Sequence, residues 1–267
     1  MRKTVLILFV FVTIQLNAQV TFSKEEIKQK TDSILVEGNL LYRFEKVAWV
    51  SNDQALALKD IKKKFGGYLI YQSGDSIKAI ILEKDKDVCM YEMTYFKDFS
   101  IPVKEELISR ELTDGEKKLQ SIKKKLIEDI FTPKYQITCP EGYSLNIELI
   151  PYESGYKLYI IAGTSKSDVI PFGNDYIFFA DKNGEITSWR KFHSRLIFAM
   201  TKYNGENVTG ITHSHLRAEP FISATDICTF KLYGSMYGLK QFKVYSPELS
   251  LYFTYNSDKN TIETGEE

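Results

Sequence analysis

The feature that most constrains this chain is the segment HSHLRAEPFISATDI, which contains two of its three histidines. His213 and His215 are alternate residues at the end of a strand-like run, where the chain can turn both rings toward one point. Ser223 suits the N-cap position of a helix, and Asp226 completes a capping-box-like pair three residues later. The segment therefore predicts two imidazoles and a carboxylate around one point. This donor set suits Zn²⁺, with a fourth position left for water.

The pattern H-[S/T]-H, seven residues and then S-x-x-D resembles the signature of the JAMM/MPN metalloproteases, which hydrolyse peptide or isopeptide bonds. The resemblance implies that His213, His215 and Asp226 are zinc ligands and that Ser223 helps to stabilise the oxyanion. The chain departs from the family pattern at Leu216, where the family usually has proline. The chain is also similar to a group of secreted Bacteroidetes proteins with HTHLP…ITATDIC and GNDY segments, which brings no established activity.

A peptidase that resembles this family also needs a glutamate from an upstream segment. That glutamate takes a proton from the zinc-bound water and passes it to the leaving amine. Glu153, which precedes Gly155 and the run LYIIAG, is the best positional candidate for this catalytic base. Glu148 and Glu185 are weaker candidates, because we expect one within a strand and the other at a hairpin turn. If Glu153 is only a turn carboxylate, the protein would bind metal without hydrolysing a substrate.

The third histidine, His193, lies in the run RKFHSRL, which reads as a strand. It is either an outer partner of the metal ligands or a residue on the face of a sheet, and the sheet-face position is favoured. Three interpretations of the HSH loop stay open. They are a zinc peptidase, a non-catalytic binding module on the same fold, and a structural loop that binds no metal.

The N-terminus reads as a secretory signal peptide. A basic start, a short apolar run and Asn17-Ala18-Gln19 predict cleavage after Ala18 and export to the periplasm or the extracellular space. No cysteine lies near this junction, so a lipoprotein anchor is not expected. The alternative is an uncleaved N-terminal anchor; no later segment is apolar enough for stable membrane insertion.

Charge and cysteine content limit the possible partners. The 35 basic and 35 acidic residues balance, so no global field favours nucleic acid. A peptide or protein is the expected substrate or partner, and the sequence does not indicate an oligomeric state. Three cysteines are an odd number, which leaves at least one free thiol. We expect Cys228 to be a buried thiol in the helix that follows Ser223.

The order of elements predicts an α+β fold in two parts. After the signal peptide (residues 1–18), residues 19–112 form an accessory module of mostly antiparallel strands with helices. Residues 113–256 form a JAMM/MPN-like mixed sheet flanked by helices, and residues 257–267 form a polar, frayed tail.

Local signals place the main elements. A helix over Phe22–Glu37 ends or turns at Gly38, and an antiparallel meander of three strands follows Gly66-Gly67. A second helix over Thr113–Phe131 starts with a capping box between Thr113 and Glu116. The sequence Asp181-Lys182-Asn183-Gly184 predicts a hairpin turn.

Overall fold

The protein is described here by a computed structural model that covers residues 22–266. It has a mixed fold of helices and mainly antiparallel sheets, so the predicted α+β class is confirmed. The predicted signal peptide at residues 1–18 lies outside the described residues. Within the described part, no helix is long and apolar enough to cross a membrane.

Helices and strands alternate irregularly along the chain. The helices are α1 (Lys24–Ala57), α2 (Lys59–Lys64), α3 (Asp114–Ile130), α4 (Ala224–Tyr233) and a short 3₁₀ helix (Gly234–Tyr237). The first strands are β1 (Phe65–Ser73), β2 (Ser76–Glu83), β3 (Val88–Tyr95), β4 (Lys104–Glu111), β5 (Ser144–Tyr152), β6 (Gly155–Gly163), β7 (Val169–Gly173) and β8 (Tyr176–Ala180). The later strands are β9 (Ile186–Lys191), β10 (Leu196–Met200), β11 (Lys202–Tyr203), β12 (Glu206–Asn207), β13 (Ile211–Ser214), β14 (Gln241–Ser246), β15 (Leu251–Asn256) and β16 (Thr261–Gly265).

The strands form three four-stranded sheets and two short pairs in the described residues. The orders are β1-β2-β3-β4, β5-β6-β8-β9 and β13-β14-β15-β16, and the pairs are β10-β7 and β11-β12. The third sheet is mixed, because β13 runs parallel to β14 while its other pairs are antiparallel. A mixed sheet with adjacent helices agrees with the predicted architecture of the second half.

The first helix is longer than predicted. The sequence predicts a break at Gly38, but α1 continues through it to Ala57. Gly38 is buried where α1 crosses α4, and a Cβ atom there would lie 2.8 Å from Ile227 Cβ and 3.2 Å from the carbonyl oxygen of Ala224. Glycine at this position therefore allows the two helices to approach closely, and it does not end the helix.

The N-terminal sheet has one more strand than predicted. The predicted meander corresponds to β1, β2 and β3, and β4 adds an edge strand through its pairing with β3. The sequence of β4, KEELISRE, is charged and largely exposed. It has few of the apolar residues by which a strand is recognised in a sequence.

The C-terminal tail is also ordered, contrary to the expectation that it frays. Thr261–Gly265 forms β16, which pairs with β15 and places Ile262 opposite Tyr255. The hydroxyl of Tyr255 donates a hydrogen bond to Asn260 Oδ1 at 3.1 Å, in the turn between the strands. Backbone pairing and this turn order a segment whose polar composition gives no such signal.

Several local predictions are confirmed. Thr113 and Glu116 form a capping box at the start of α3. Residues 181–184 form the turn between β8 and β9. The thiols of all three cysteines are free, and Cys228 is fully buried in α4.

The largest cluster of buried apolar side chains takes residues from both sides of the predicted division at residue 112. It contains Leu41 and Phe44 of α1, Ile227 of α4, and Phe242 and Phe253 of the third sheet. The division into an accessory module and a second domain stays a prediction. The packing of α1 against α4 connects the first helix directly to the candidate site.

Candidate metal centre

The two histidines of the HSH segment point to the same side of the third sheet. His213 lies in β13 and His215 directly follows the strand, with its backbone N–H bonded to the carbonyl of Tyr245 at 3.0 Å. Burial alternates along the segment: both histidines are buried while Thr212 and Ser214 are exposed. This is the period of an extended chain, so the strand itself brings the two rings together.

Asp226 reaches the histidines from the first turn of α4. Ser223 is the N-cap and accepts a hydrogen bond from the backbone N–H of Asp226 at 3.1 Å. Asp226 Oδ2 in turn accepts hydrogen bonds from the Ser223 backbone at 2.9 Å and hydroxyl at 2.8 Å. Asp226 Oδ2 also lies 2.9 Å from His215 Nε2. The predicted capping box is confirmed, and it fixes the orientation of the carboxylate.

His193 is the fourth member of the group, and the prediction that it lies on a sheet face is wrong. It lies in the loop between β9 and β10, where it is 2% exposed. Its Nε2 atom is 2.9 Å from His215 Nε2 and 3.5 Å from Asp226 Oδ1. The run RKFHSRL resembles a strand, but a bend at residues 192–195 interrupts it and turns the ring inward.

All three histidines of the chain therefore meet at one carboxylate. One donor atom from each of His193, His213, His215 and Asp226 lies within 4.8 Å of all the others. The four residues are between 1% and 8% exposed. Three imidazole nitrogens and a carboxylate oxygen at these separations surround a space in which one metal ion could lie.

Three atoms of this group lack hydrogen-bond partners among the described residues: His213 Nδ1, His213 Nε2 and Asp226 Oδ1. All three are buried, and His213 Nε2 and Asp226 Oδ1 lie 3.2 Å apart. Buried polar groups are rarely left unsatisfied, and an ion is one recognised explanation. The donor set also matches the chemistry of Zn²⁺, which binds histidine nitrogen and carboxylate oxygen. The residues present thus fit a metal ion.

Electrostatics favour a cation at this point. Burial alone would raise the pKa of Asp226, but the surrounding His193, His215 and His213 hold it well below its usual range. Burial would lower the pKa of His193, but Asp175 and Asp226 outweigh this effect and raise it to about 9. Burial lowers the pKa of His213. The carboxylate is thus ionised, and a proton on His193 competes with a metal ion for the same place.

Asp175 orients His193 from the side opposite to the cluster. His193 donates from Nδ1 to Asp175 Oδ1 at 2.8 Å, and Thr225 of α4 donates to Asp175 Oδ2. A carboxylate that accepts the second N–H of a metal-binding histidine fixes the tautomer and makes the other nitrogen a better ligand. Asp175 belongs to the GNDY segment, and it has no predicted role.

The other two rings are held differently. His215 donates from Nδ1 to the carbonyl oxygen of Glu219 at 3.3 Å. His213 packs between two aromatic rings, with centroids 4.9 Å from Phe172 and 6.0 Å from Phe242. His213 Nδ1 has no hydrogen-bond partner among the described residues. Packing, and not a hydrogen bond, therefore orients His213.

One side of the cluster opens into a cavity of about 290 Å³. The three histidines line it together with Ser194, Arg195 and Ser214. Ser223 does not belong to this lining, and its hydroxyl is bonded to Asp226 and Thr225. The position of Ser223 suits a role in holding Asp226 and gives no support to its expected role as an oxyanion ligand.

Glu153, the expected base, lies at the opposite end of the second sheet. It is exposed in the β5–β6 turn, with a positive φ of 50°. This turn lies at the Ala180 end of β8, because Tyr156 pairs with Ala180, whereas Asp175 and His193 lie at the Tyr176 end. The length of the strand separates them by on the order of 15 Å.

The weaker candidates for the base also lie elsewhere. Glu148 is buried in β5 and accepts a hydrogen bond from Tyr68 at 3.0 Å. Glu185 forms an exposed ion pair with Lys125 on α3.

The carboxylate closest in sequence to the cluster is Glu219, which lies 3.6 Å from Arg190 Nη1. Burial raises the pKa of Glu219, and charges on Arg190 and His215 oppose that shift.

Comparison of the chain with known protein families, curated proteins and solved structures finds no match. The resemblance to the JAMM/MPN metalloproteases therefore depends on the residues of the HSH segment, Ser223 and Asp226. The function has to be argued from the geometry of the site.

Proposed function

We propose that this protein binds one divalent transition-metal ion through His193, His213, His215 and Asp226. The observation that carries the proposal is that every histidine of the chain meets the same buried carboxylate, with donor atoms within 4.8 Å. Histidines that were buried for separate structural reasons would not be expected to meet at one carboxylate. Zn²⁺ is the ion we expect, because three imidazoles and one carboxylate suit its preference for four ligands.

The number of protein ligands favours a binding or structural role for the metal. Catalytic zinc sites usually have three protein ligands and keep the fourth position for water, whereas structural sites have four. The sequence predicts three ligands, and His193 adds a fourth at the position expected for water. Together with the distant position of Glu153, this favours the non-catalytic binding module over the peptidase.

The second candidate function is a zinc peptidase, and the cavity beside the histidines favours it. A substrate carbonyl could enter from the side lined by Ser194, Arg195 and Ser214. When bound, zinc would polarise that carbonyl and lower the pKa of a bound water. Glu219, which interacts electrostatically with His193 and His215, is then the candidate base in place of Glu153.

A zinc titration by calorimetry tests the metal-binding proposal. We expect one site per chain in the wild type and a loss of affinity of roughly a hundredfold or more in His193→Ala, because one of four ligands is removed. Glu153→Gln is the matched control at an exposed position and should bind as the wild type does. Equal affinity in His193→Ala would show that His193 is not a ligand.

Hydrolysis of a mixed peptide library by the zinc-loaded protein separates the two candidates. The peptidase requires cleavage that Glu219→Gln abolishes while zinc content is retained. The binding module requires that the zinc-loaded wild type cleaves nothing.

Export stays a prediction from residues 1–18, and with it a peptide or protein partner outside the cytoplasm.

A further inference from the structure

A second cavity, of about 680 Å³, lies between α1 and the start of β5. Its volume is typical of pockets that bind small organic molecules, roughly 300–1,000 Å³. None of the metal cluster residues lines it. Glu45, Trp49 and Asn52 of α1 contribute to its wall, spaced at i, i+4 and i+7, so they lie along one face of the helix.

Two oxygen atoms in this wall are buried without a hydrogen-bond donor. They are Glu45 Oε2 and Asn52 Oδ1, which have no partner among the described residues. Glu45 is 2% exposed, and its other oxygen accepts a hydrogen bond from Asn146. Two unsatisfied acceptors on one cavity wall call for a ligand that carries donors. Two helical turns, roughly 10 Å along the axis, separate the two residues.

The surrounding charge favours a cationic donor. Glu148, a second buried carboxyl group, lies beside Glu45, and Lys123 is the buried cation near both. Burial and the neighbouring Glu148 raise the pKa of Glu45 to about 8. A positive charge would relieve this repulsion. A proton shared by Glu45 and Glu148 would also relieve it, but it would leave Asn52 Oδ1 without a donor.

The cavity is too large for a lone ion, and the lining supplies apolar surface between the two acceptors. Trp49 lies between Glu45 and Asn52 on the helix, with its ring centroid 5.4 Å from that of Tyr233, which also lines the cavity. An aliphatic chain could pack on this aromatic surface. A ligand that satisfies the wall thus has a donor at each end and carbon between them.

We propose that this cavity binds an aliphatic diammonium ion. One ammonium group would donate to Glu45 Oε2, the methylene chain would pack on Trp49, and the second ammonium group would donate to Asn52 Oδ1. This site is independent of the metal centre, so the proposal does not depend on the proposed function.

Fluorescence of Trp49 tests the proposal with 1,5-diaminopentane as the probe. The chain has two tryptophans, and Trp189→Phe leaves Trp49 as the reporter in the cavity wall. At about pH 8.5 an aliphatic ammonium group keeps its proton, and this pH lies above the raised pKa of Glu45, about 8, which favours the carboxylate form. We expect a saturable change in fluorescence with the diamine. Pentane-1,5-diol has the same carbon skeleton without charge and should produce no saturable change.

Variants connect the signal to the two acceptors. Glu45→Gln in the same background should weaken diamine binding roughly tenfold or more, because it removes the charge at a buried hydrogen bond. Asn52→Ala should weaken diamine binding less, since the Asn52 side-chain oxygen is neutral. If circular dichroism shows that Glu45→Gln does not fold, Asn52→Ala provides the test. Glu153→Gln should bind as the parent does. Absence of a saturable change, equal binding by the diol, or full affinity in either α1 variant would overturn the proposal.

Discussion

At the scale of single residues, the site depends on hydrogen bonds that hold the donor atoms in place. Asp226 is fixed by Ser223, and His193 is fixed by Asp175. The second contact is the more informative, because Asp175 is too far along the chain for any local pattern to connect it to His193. It also links the histidine to α4 through Thr225.

Asp175→Asn should reduce zinc affinity roughly 10- to 100-fold, the usual cost of losing the outer partner of a metal-binding histidine. An amide no longer supplies the charge that favours one tautomer of His193. Zinc affinity measured by competition with a chelating dye checks this expectation. Asp258→Asn, the same substitution at an exposed position, is the control. Unchanged affinity in Asp175→Asn would mean that Asp175 has only a structural role.

The HSH and S-x-x-D patterns predict His213, His215 and Asp226 because strand alternation and helix capping are local effects. The structure brings these three together. His193 has no such local signal, since a bend and a distant carboxylate decide its orientation. The fact that the chain has only three histidines is the one sequence observation that could have connected it to the other two.

At the scale of elements, the crossing of α1 and α4 positions Asp226. Gly38 and Ile227 meet at this crossing, one residue after the ligand. Helix propensity treats Gly38 as a break, because propensity describes an isolated helix. The close approach of a second helix is a tertiary effect, and it explains why the predicted end of α1 is wrong.

Gly38→Ala should destabilise the protein by about 1–3 kcal/mol, because the new methyl group overlaps Ile227. Gly115→Ala makes the same change in α3, where no atom lies within 4 Å of the added Cβ. It should stabilise the protein by up to about 1 kcal/mol through helix propensity. Urea unfolding midpoints measure both. Equal effects of the two substitutions would contradict a tight helix crossing at Gly38.

The strands also differ in their cause: the local sequence predicts some of them, and others form through contacts with a neighbouring strand. Apolar alternation and turn residues predict β1, β2 and β3 and the hairpin at residues 181–184. The charged β4 and the polar β16 form because a neighbouring strand offers them backbone hydrogen bonds. Their side chains carry little of the signal from which a strand is predicted.

At the scale of the whole molecule, partly buried polar contacts connect α3 to the first sheet. Glu116 of α3 accepts hydrogen bonds from Arg110 at 2.7 Å and from Tyr71 at 2.7 Å. These hydrogen bonds join residues on the two sides of the predicted boundary at residue 112. Burial would raise the pKa of Glu116, but Arg110, Tyr71 and Thr113 outweigh it and lower the pKa to about 2.

Because the pKa of Glu116 is lower in the folded state, the unfolded chain binds more protons as the pH falls from about 4.5 toward 2. The stabilisation from Glu116 is present above this range and is lost within it. Glu116→Gln should therefore flatten the loss of unfolding free energy between these pH values. Urea unfolding of both proteins from pH 6 to pH 2 measures the slope. Parallel curves of unfolding free energy against pH for the two proteins would contradict the lowered pKa of Glu116.

The central claim concerns the whole molecule, because the proposed metal joins the β9–β10 loop, β13 and α4. The most direct test is the metal content after zinc addition and exhaustive dialysis, measured by mass spectrometry. The proteins compared are the wild type, His193→Ala and the double variant His213→Ala/His215→Ala. The account predicts one zinc per wild-type chain and loss of that zinc in both variants. A metal-free wild type, or a folded double variant that keeps its zinc, would contradict it.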